Sequence, residues 1–263
     1  MERWRGKWAL VTGASAGIGW ALAEQLAAEG ANVVLTARRR ERLEQLAASL
    51  RNRNNVRVEI IAADLAQASA PEEIFAFTQA QGIAVDLLVN NAGFGANGEF
   101  LKIPRARQLE MVQVNITAVV QLTHLFLPAM IERRSGDILI VSSSAAFQAV
   151  PYITTYAATK AFDLLFAEGL AEEMRPYGIR VCALCPGSTT TEFHQVAGQP
   201  DRTKRGQEPA EKVARVGLDA LAREKSLVIS GLGNRLGVES QRLAPRRFVT
   251  RMAASLFRPA KPR

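Results

Sequence analysis

Tyr156, Lys160 and Ser143 are side chains that together could pass a proton to a carbonyl oxygen. Tyr156 and Lys160 lie four residues apart at the start of an alanine-rich segment, so on a helix they share a face. We expect the ammonium group to stabilise the phenolate and to lower the pKa of Tyr156 from its usual value of about 10. Ser143 precedes Tyr156 by thirteen residues, and its hydroxyl group could hold a substrate oxygen. These side chains can act on a carbonyl or alcohol group if the chain also binds a hydride donor.

A glycine-rich loop near the N-terminus could bind such a donor, because it joins a predicted strand to a predicted helix. Gly13, Gly17 and Gly19 permit a tight turn and a close approach of backbone N–H groups to a pyrophosphate. The N-terminus of the following helix adds its positive end. We count Ser15 and Ile18 of the same loop among the candidate cofactor contacts.

The residues after the second predicted strand, Asn32–Ala37, favour NADP(H) over NAD(H). Dinucleotide-binding folds usually place an acidic residue there, which holds the ribose 2′-hydroxyl of NAD. This chain instead has Arg38, Arg39 and Arg40, with no acid before Glu41. A carboxylate repels a 2′-phosphate, whereas arginine can bind one. We predict Arg38 as the first contact for that phosphate; the alternative is that the arginines only solvate the start of a helix.

Strand patterns alternate with helical patterns over most of the 263 residues. Strands are predicted at residues 7–12, 32–37, 56–63, 85–89, 137–142, 180–184 and 227–230, and the longest helices at 105–134 and 154–177. This alternation indicates an α/β fold with a doubly wound (Rossmann) parallel sheet of seven strands and helices on both faces. We assign residues 1–240 to a single domain that includes a substrate lid at 188–208. Residues 241–263 form a basic tail that we expect to be helical.

The motifs resemble, in type and order, those of the short-chain dehydrogenase/reductase family. The match covers roughly residues 7–195 and includes Thr12-Gly13-x-x-x-Gly17-x-Gly19, Asp64-Leu65, Asn90-Asn91-Ala92-Gly93, Asn115, Ser143, Tyr156-x-x-x-Lys160 and Pro186-Gly187. Each motif alone is modest support, but all of them occur at the family's spacing. The resemblance implies a nicotinamide-dependent oxidoreductase that acts on CH–OH or C=O groups and forms a homodimer or homotetramer.

The resemblance also implies a role for each matching residue. Tyr156 is the expected general acid in reduction and general base in oxidation, and Lys160 is expected to bind the nicotinamide ribose. Ser143 is expected to polarise the substrate carbonyl, and Asn115 to keep an ordered water beside Lys160 in a proton relay. The implied cofactor contacts are Asp64 and Leu65 at the adenine, Asn91, Ala92 and Gly93 at the ribose, and Pro186, Gly187, Thr189 and Thr191 at the nicotinamide amide.

Three of these assignments have simpler alternatives. Ser142 and Ser144 flank Ser143, which is chosen by spacing alone. Asn115 could be a helix-kink or packing residue, and Asp64 could be a turn or cap residue. The functions assigned to these three positions therefore depend mainly on the resemblance.

Apolar side chains near the predicted mouth of the site favour a hydrophobic substrate, although ordinary packing explains them equally well. They are Phe94, Phe147, Val150, Tyr152 and Phe193. The favoured function is an NADP(H)-dependent carbonyl reductase or alcohol dehydrogenase. A 3-oxoacyl thioester reductase and a hydroxysteroid-type dehydrogenase are narrower alternatives, and a non-catalytic NADP(H)-sensing module is the alternative from a different class.

Charge and cysteine content restrict the partners and the compartment. The formal net charge is +8, but residues 241–263 carry seven basic residues and no acid, so the rest is nearly neutral and no nucleic-acid partner is expected. Cys182 and Cys185 fit a buried strand with side chains on opposite faces, and we expect a cytoplasmic protein. With two histidines and no cluster of ligand residues, no metal site is expected. We also expect no signal peptide and no apolar run of the roughly 18 residues that a membrane helix needs.

The tail could nevertheless contact a membrane surface. Projected as a helix, residues 245–258 place Phe248, Val249, Met252 and Leu256 on one side and Arg247, Arg251 and Arg258 on the other. A basic amphipathic helix of this kind can lie on an anionic membrane. The alternative is a helix that packs on its own domain or on a partner subunit.

Overall fold

Parallel strands and flanking helices make up most of the computed structural model, which describes residues 3–204 and 206–259. The strands are β1 (Trp8–Thr12), β2 (Asn32–Ala37), β3 (Val58–Ala62), β4 (Val85–Asn90), β5 (Gly136–Val141), β6 (Ile179–Cys185), β7 (Thr189–Thr190), β8 (Glu208–Pro209) and β9 (Leu227–Ile229). The helices are α1 (Gly17–Ala28), α2 (Arg40–Asn54), α3 (Ala70–Ala80), α4 (Arg105–Val112), α5 (Ala118–Glu132), α6 (Thr154–Met174), α7 (Phe193–Val196), α8 (Ala210–Ala222), α9 (Leu232–Ser240) and α10 (Arg246–Phe257). The sequence did not predict α9, α7 or the short strands β7 and β8.

Seven of the strands form one parallel sheet in the order β3-β2-β1-β4-β5-β6-β9. The order reverses beside β1, because β2 and β3 lie on one side of it and β4 on the other. Ligands of such sheets bind beyond the carboxyl ends of the strands at this switch point. The predicted doubly wound α/β fold with seven parallel strands is confirmed. The remaining two strands, β7 and β8, pair with each other inside the segment predicted as a lid.

Apolar helix surfaces cover both faces of the sheet. On one face α1, α2 and α8 bury side chains such as Leu22, Leu46 and Leu218. On the other face α3, α5 and α6 bury side chains such as Ile74 and Phe126. Each buried side chain of this size contributes about 1.5–3 kcal/mol relative to an exposed one. The sheet is thus fixed from both sides, which holds the strand ends and their loops in place.

Cys182 and Cys185 lie on opposite faces of β6, as their odd spacing predicts. Each belongs to a different one of the two core clusters. Burial raises the pKa of each thiol to about 12. Both thiols therefore stay protonated at neutral pH and pack as small apolar groups.

A five-residue π-helix, Gln113–Thr117, joins α4 to α5 and makes one continuous helical stretch, Arg105–Glu132. It is the one stretch among the described residues that is long and apolar enough to cross a membrane by length and composition. The sequence predicts a helix over residues 105–134 but no membrane-length apolar run, because polar residues interrupt its apolar segments. The stretch buries Leu122 and Phe126 in the core, and the Phe126 ring lies 5.2 Å from that of Phe75 on α3. These contacts are those of a core helix, and core helices can also have the length and apolar composition of a membrane-spanning helix.

The predicted tail helix is present as α10, but it packs through a different face from its large apolar residues. Ala253 is buried in the core cluster, whereas Phe248, Met252 and Leu256 are 57%, 55% and 51% exposed. The helix therefore packs on its own domain through Ala253 and Phe257, whereas Phe248, Met252 and Leu256 face outward. The end of the tail, residues 260–263, lies outside the described residues.

Candidate active site

A cavity of about 430 Å³ opens beyond the carboxyl ends of the strands and collects most of the predicted site residues. Its lining comes from the loop after β1, the ends of β2 to β6, the lid segment and the end of α10. The predicted residues that line it are Gly13, Ser15, Gly17, Ile18, Arg38, Asp64, Leu65, Asn91, Ala92, Gly93, Ser143, Tyr156, Lys160, Pro186, Gly187, Thr189 and Thr191. Gly19 and Asn115 lie behind this lining.

The loop after β1 needs glycine for its backbone conformation and for close contacts. Gly13 and Gly17 have φ angles of 67° and 58°, in the left-handed region that favours glycine. A Cβ atom on Gly13 would lie 2.9 Å from Cα of Ala92, and one on Gly19 would lie 2.5 Å from the Gly13 carbonyl oxygen. No side chain caps the first turn of α1, so its backbone N–H groups can bind an anion. The loop is therefore a backbone cradle that fits the pyrophosphate of a dinucleotide.

Thr12 and Asn91 tie this cradle to the end of β4. The Thr12 hydroxyl group donates to the Val89 carbonyl at 3.1 Å and accepts from the N–H groups of Asn91 and Ala92 at 2.9 Å each. The Asn91 side-chain amide donates to the Thr12 carbonyl at 2.8 Å. Because these bonds connect neighbouring strand ends, the cradle and the wall formed by residues 91–93 stay at a fixed separation.

Arg38 lines the cavity directly after β2, where the sequence predicts a contact with a 2′-phosphate. Its side chain is 61% exposed, and its guanidinium group lies 3.9 Å from the Glu110 carboxylate. It can therefore turn towards an anion without breaking a close ion pair. Arg40 has a different position, because it begins α2 and pairs with Glu44 on the helix surface.

Arg39 makes contacts that the sequence did not predict. Its guanidinium group donates to the Ser15 hydroxyl at 3.1 Å and pairs with the Glu192 carboxylate at 2.8 Å. Arg42 binds the other oxygen of Glu192, and the hydrogen bonds from both arginines lower the pKa of that carboxyl group. The lid is thus connected to the glycine loop through Arg39. The run of three arginines was the only sequence signal, and the start of α2 decides which of them turns towards the loop.

Asp64 and Thr191 combine local hydrogen bonds with a place in the cavity. The Asp64 carboxylate accepts from the Ala66 N–H group at 3.1 Å, so the alternative of a turn residue also holds. The Thr191 hydroxyl accepts from the Phe193 N–H group at 3.2 Å. A Cβ atom on Gly17 would lie 2.8 Å from the Thr191 methyl group, so the lid packs directly on the glycine loop.

Tyr156 and Lys160 lie one turn apart on the buried face of α6, with 8% and 4% of their surfaces exposed. The shared face predicted from their spacing is confirmed. The Lys160 ammonium group donates to the Val141 carbonyl at 2.8 Å and to the Asp163 carboxylate at 2.9 Å. Because an ammonium group has three N–H donors, these partners leave one for a ligand in the cavity.

Of the neighbouring serines, the structure brings Ser143 to Tyr156, and a hydrogen bond between them lowers the pKa of the phenol. The Ser143 hydroxyl also accepts from the Ala145 N–H group at 3.1 Å, which fixes its side chain at the end of β5. The Ser142 hydroxyl donates instead to the Lys160 carbonyl at 2.7 Å. Ser143 is therefore placed to hold a substrate oxygen next to the phenol, whereas Ser142 braces α6.

The net pKa shift of Tyr156 is opposite to the one predicted from the sequence. Burial raises the pKa above its ordinary value, and the Lys160 charge and the Ser143 bond oppose this only in part. The Asp163 carboxylate and the Cys185 thiol raise the pKa further. Lys160 does lower the pKa, as expected, but the cost of desolvating a phenolate is larger. Tyr156 is therefore a protonated phenol at neutral pH.

Asn115 supports the cavity wall from behind. It is fully buried in the π-helix, an element often found at functional sites. Its amide accepts from the Phe94 N–H group at 3.2 Å and donates to the Phe94 carbonyl and the Thr159 hydroxyl at 3.0 Å each. A Cβ atom on Gly93 would lie 3.2 Å from the Asn115 oxygen and 3.3 Å from the Lys160 nitrogen. The side chain thus has the packing role given above as an alternative, and the ordered water beside Lys160 stays a prediction.

Apolar side chains line the same cavity as the Tyr156 hydroxyl group. Phe94 and Phe193 do so as expected, and the Phe193 ring lies 5.2 Å from the Tyr156 ring. The other three expected residues, Phe147, Val150 and Tyr152, are not part of the lining. Apolar lining residues that the sequence missed include Ile153, Val196 and Phe257. Phe257 is about a hundred residues from Tyr156 in sequence, so no local pattern points to it.

Hydrogen bonds hold the end of α10 at the mouth of the cavity. The Asn97 side chain donates to the Phe257 carbonyl at 2.9 Å, and Arg258 donates to the Tyr152 hydroxyl at 3.2 Å. Tyr152 has a φ angle of 70°, which residues other than glycine rarely adopt. The Gly98 N–H group donates a hydrogen bond to the Tyr152 carbonyl. The last turn of α10 is therefore part of the wall of the site.

Comparison with known proteins agrees with the family that the motifs resemble. The family model described as short chain dehydrogenase matches residues 7–201. The very-long-chain 3-oxoacyl-CoA reductase-B of Danio rerio is 36% identical over 195 residues, which cover 73% of this chain and 62% of that protein. The chain therefore belongs to the short-chain dehydrogenase/reductase family. It spans less than two thirds of the length of the curated relatives that it matches first.

Solved structures of the family superimpose on nearly the whole chain. A short-chain dehydrogenase from Sphingobium yanoikuyae in complex with NADPH has a TM-score of 0.83 and 29% identity, with 98% of both chains covered. A short-chain dehydrogenase/reductase from Burkholderia phymatum in complex with NAD has a TM-score of 0.82 and 25% identity, with 92% of this chain and 96% of that chain covered. Members of the family use nicotinamide cofactors, act on small molecules and commonly form oligomers.

Proposed function

We propose that the protein transfers hydride between NADP(H) and a hydrophobic carbonyl or alcohol substrate. The observation that carries this proposal is the buried Tyr156 hydroxyl group, which lines the cavity beside Ser143 and one turn from the Lys160 ammonium group. Its raised pKa keeps the phenol protonated at neutral pH, so that it can serve as a proton donor.

The chain's own residues hold and protonate the substrate oxygen. The hydroxyl groups of Ser143 and Tyr156 donate hydrogen bonds to a carbonyl oxygen, and these bonds strengthen as negative charge develops on it. Tyr156 gives its proton to that oxygen as a general acid, and in the reverse direction it removes the proton as a general base. The Lys160 ammonium group stabilises the phenolate that remains. When bound, the nicotinamide cofactor supplies or accepts the hydride.

The choice of NADP(H) rests on the residues around the expected adenosine ribose. Arg38 is an available cation in the cavity wall, and Arg39 stands beside it on the Ser15 hydroxyl group. No acid follows β2 before Glu41, so the usual partner of an NAD 2′-hydroxyl is missing from this stretch of sequence. The remaining cofactor contacts proposed are the residues of the glycine loop and the predicted lining residues at the ends of β3, β4 and β6.

The apolar lining favours a hydrophobic substrate. Phe94, Ile153, Phe193 and Phe257 offer an apolar surface in the same cavity as the Tyr156 hydroxyl group. The likeness to a very-long-chain 3-oxoacyl-CoA reductase supports the narrower proposal of a 3-oxoacyl thioester, and a hydroxysteroid remains the second candidate. A cofactor-sensing module without turnover would not need the buried proton donor.

Turnover of a substrate panel tests this proposal. With hydrophobic ketones, aldehydes and 3-oxoacyl thioesters, we expect NADPH to be oxidised. The decrease in NADPH absorbance measures this reaction. We expect kcat/KM to be about tenfold or more higher with NADPH than with NADH, because a guanidinium–phosphate bond is worth roughly 1.5–3 kcal/mol. Polar ketoses serve as the comparison and should react poorly. Tight NADPH binding without turnover across the whole panel would instead support the sensing module.

Assembly and compartment complete the proposal. Leu109 on α4 and Leu165 on α6 are 61% and 68% exposed, and such apolar residues on neighbouring helices suit a homodimer or homotetramer. The thiols of Cys182 and Cys185 lie on opposite faces of one strand and do not pair, which is consistent with the reducing cytoplasm.

We also place the outer face of α10 on an anionic membrane surface. Phe248, Met252 and Leu256 recur every four residues and form an exposed apolar stripe. Arg247 and Arg251 are also exposed, on the basic side of the helical projection, and residues 241–259 contain no acid. Because α10 packs on its domain through Ala253 and Phe257, the stripe stays exposed. An arginine-flanked apolar stripe is the pattern of a helix that lies in the membrane interface.

Vesicle binding tests the membrane contact. Replacing Phe248, Met252 and Leu256 by serine is expected to reduce co-sedimentation with phosphatidylserine vesicles several-fold, because the apolar area for insertion is lost. NADPH turnover with a soluble ketone should not change. Leu101→Ser, which removes a 93% exposed leucine elsewhere, is the matched control. Equal sedimentation of the triple variant and the control would refute the contact, and a smaller oligomer would show that the stripe binds a second copy of the chain.

A further inference from the structure

Asp163 is a buried carboxylate in direct contact with the Lys160 ammonium group. It lies on α6 three residues after Lys160, with 1% of its surface exposed, and its Oδ2 atom is 2.9 Å from Nζ. Its other oxygen, Oδ1, has no hydrogen-bond partner in the described part of the chain. A buried carboxylate with an unsatisfied oxygen carries a large desolvation cost. The position therefore calls for an explanation beyond packing.

Stability alone does not supply that explanation. A buried ion pair is often no more stabilising than two well-packed apolar side chains of similar volume, because desolvation offsets the Coulomb attraction. Asp163 is surrounded by the apolar side of α6, where Leu164 and Ala167 are also buried. An apolar side chain would suit these surroundings better, were it not for the ammonium group beside it.

We propose that Asp163 is a positioning residue that holds the Lys160 ammonium group at the cavity and balances its charge, so that Tyr156 remains a proton donor in the resting protein. This inference rests on the proposed role of Tyr156 as the general acid. It adds a fifth residue to the set Asn115, Ser143, Tyr156 and Lys160.

The positioning follows from the contacts of the ammonium nitrogen. Val141 and Asp163 hold it from two sides, on β5 and on α6. A Cβ atom on Gly93 would lie 3.3 Å from the same nitrogen, so the ammonium group stands directly against the wall formed by residues 91–93. With two donors fixed, the third is set in direction before any ligand arrives. Lys160 is thereby preorganised for a ligand hydroxyl group.

The charge balance follows from the groups that surround Tyr156. From α6 the Lys160 charge lowers the pKa of the phenol and the Asp163 charge raises it; from β6 the Cys185 thiol raises it, and the Ser143 bond lowers it. Burial raises the pKa of Cys185 to about 12, so this thiol is uncharged at neutral pH. Burial raises the pKa of Asp163 as well, whereas the charge of Lys160 and its hydrogen bond lower it and favour the carboxylate. Asp163 is therefore the anion that opposes Lys160. Without it, an unbalanced ammonium group would favour the phenolate, and the pKa of Tyr156 would fall.

Titration of Tyr156 in the cofactor-free protein tests the proposal independently of turnover. The chain has three tyrosines, so the phenolate absorbance of Tyr156→Phe, subtracted from that of the otherwise identical protein, isolates Tyr156. We expect Asp163→Asn, which keeps the shape and an acceptor oxygen but removes the charge, to form the Tyr156 phenolate at lower pH. Glu172→Gln removes the same charge from the exposed end of α6 and should leave the titration unchanged. An unchanged or higher midpoint in Asp163→Asn would overturn the proposal.

The pH profile of turnover gives a second readout. In Asp163→Asn, the ratio of the alcohol oxidation rate at neutral pH to that at alkaline pH should rise several-fold, because the Tyr156 phenolate forms at lower pH. Carbonyl reduction should fall at a lower pH than in the wild-type protein. Asp163→Glu keeps the charge but moves the carboxylate by one methylene group, so it should keep the wild-type titration and bind NADPH more weakly. This variant carries the test if Asp163→Asn does not fold, and a shifted midpoint in Asp163→Glu would count against charge balance.

Failure of this inference can be distinguished from failure of the proposed function. If the titration shifts as expected but no carbonyl substrate is turned over, then Asp163 controls the phenol and the assigned reaction is wrong. If turnover requires Tyr156 but Asp163→Asn has the wild-type titration and pH profile, then the reaction stands and Asp163 only fills space.

Discussion

Tyr156→Phe is expected to lower kcat by about 10²–10⁴-fold, the range that general acid–base catalysis contributes. The substitution removes one oxygen atom from a side chain that is buried at the cavity and leaves the ring in place against Phe193. Without the phenol, no other protonated side chain of the described residues is bonded to Ser143 and placed beside Lys160. The substrate oxygen would then have to take its proton from water.

The same variant should bind NADPH with a dissociation constant within about twofold of the wild-type value, because the cradle, Arg38 and the Lys160 ammonium group remain. Fluorescence titration of NADPH and steady-state kinetics with one ketone measure the two quantities on the same preparation. Tyr177→Phe is the matched control, since this tyrosine is 40% exposed and distant from the cavity lining. Retention of wild-type kcat in Tyr156→Phe would remove the central residue from the proposed mechanism.

Local sequence patterns predicted the fold well, because the spacing of apolar residues in each strand and helix indicates which of its faces is buried. The strand Asn32–Ala37 and the tail helix are examples, since the apolar pattern of each can be recognised within the element itself. The glycine loop could be predicted for the same reason. Gly13 and Gly19 must be glycine because the backbone and the Asn91 side chain approach them closely. The topology of the fold brings the end of β4 to this loop.

Other features depend on which surfaces meet, and these the sequence could not show. The outward face of α10 is one case: the helical projection found the apolar stripe of Phe248, Met252 and Leu256, but packing through Ala253 decided that it is exposed. Phe257 in the cavity wall is another, because it arrives from the far end of the chain. The pKa of Tyr156 is a third. Its direction depends on the depth of burial and on Asp163, neither of which the Tyr156-x-x-x-Lys160 motif contains.

Arg38→Ala is expected to weaken NADPH binding by about 10–100-fold, which corresponds to the loss of roughly 1.5–3 kcal/mol from a hydrogen bond to a charged phosphate. NADH lacks the 2′-phosphate, so its dissociation constant should change little. The ratio of the two constants is therefore the quantity to measure, at fixed ionic strength because salt screens an exposed guanidinium group. Arg40→Ala is the matched control: this arginine follows in sequence but pairs with Glu44 on α2 and does not line the cavity.

Arg39→Ala distinguishes the roles of Arg38 and Arg39, the two arginines that line the cavity. Arg39 binds Ser15 in the glycine loop and Glu192 in the lid, so its loss should weaken both NADPH and NADH by disturbing the loop and the lid together. Loss of selectivity in Arg39→Ala but not in Arg38→Ala would transfer the phosphate contact to Arg39. If neither variant, nor the two combined, changes the NADPH to NADH ratio, the arginines only solvate the start of α2 and the protein does not distinguish the two cofactors at this position.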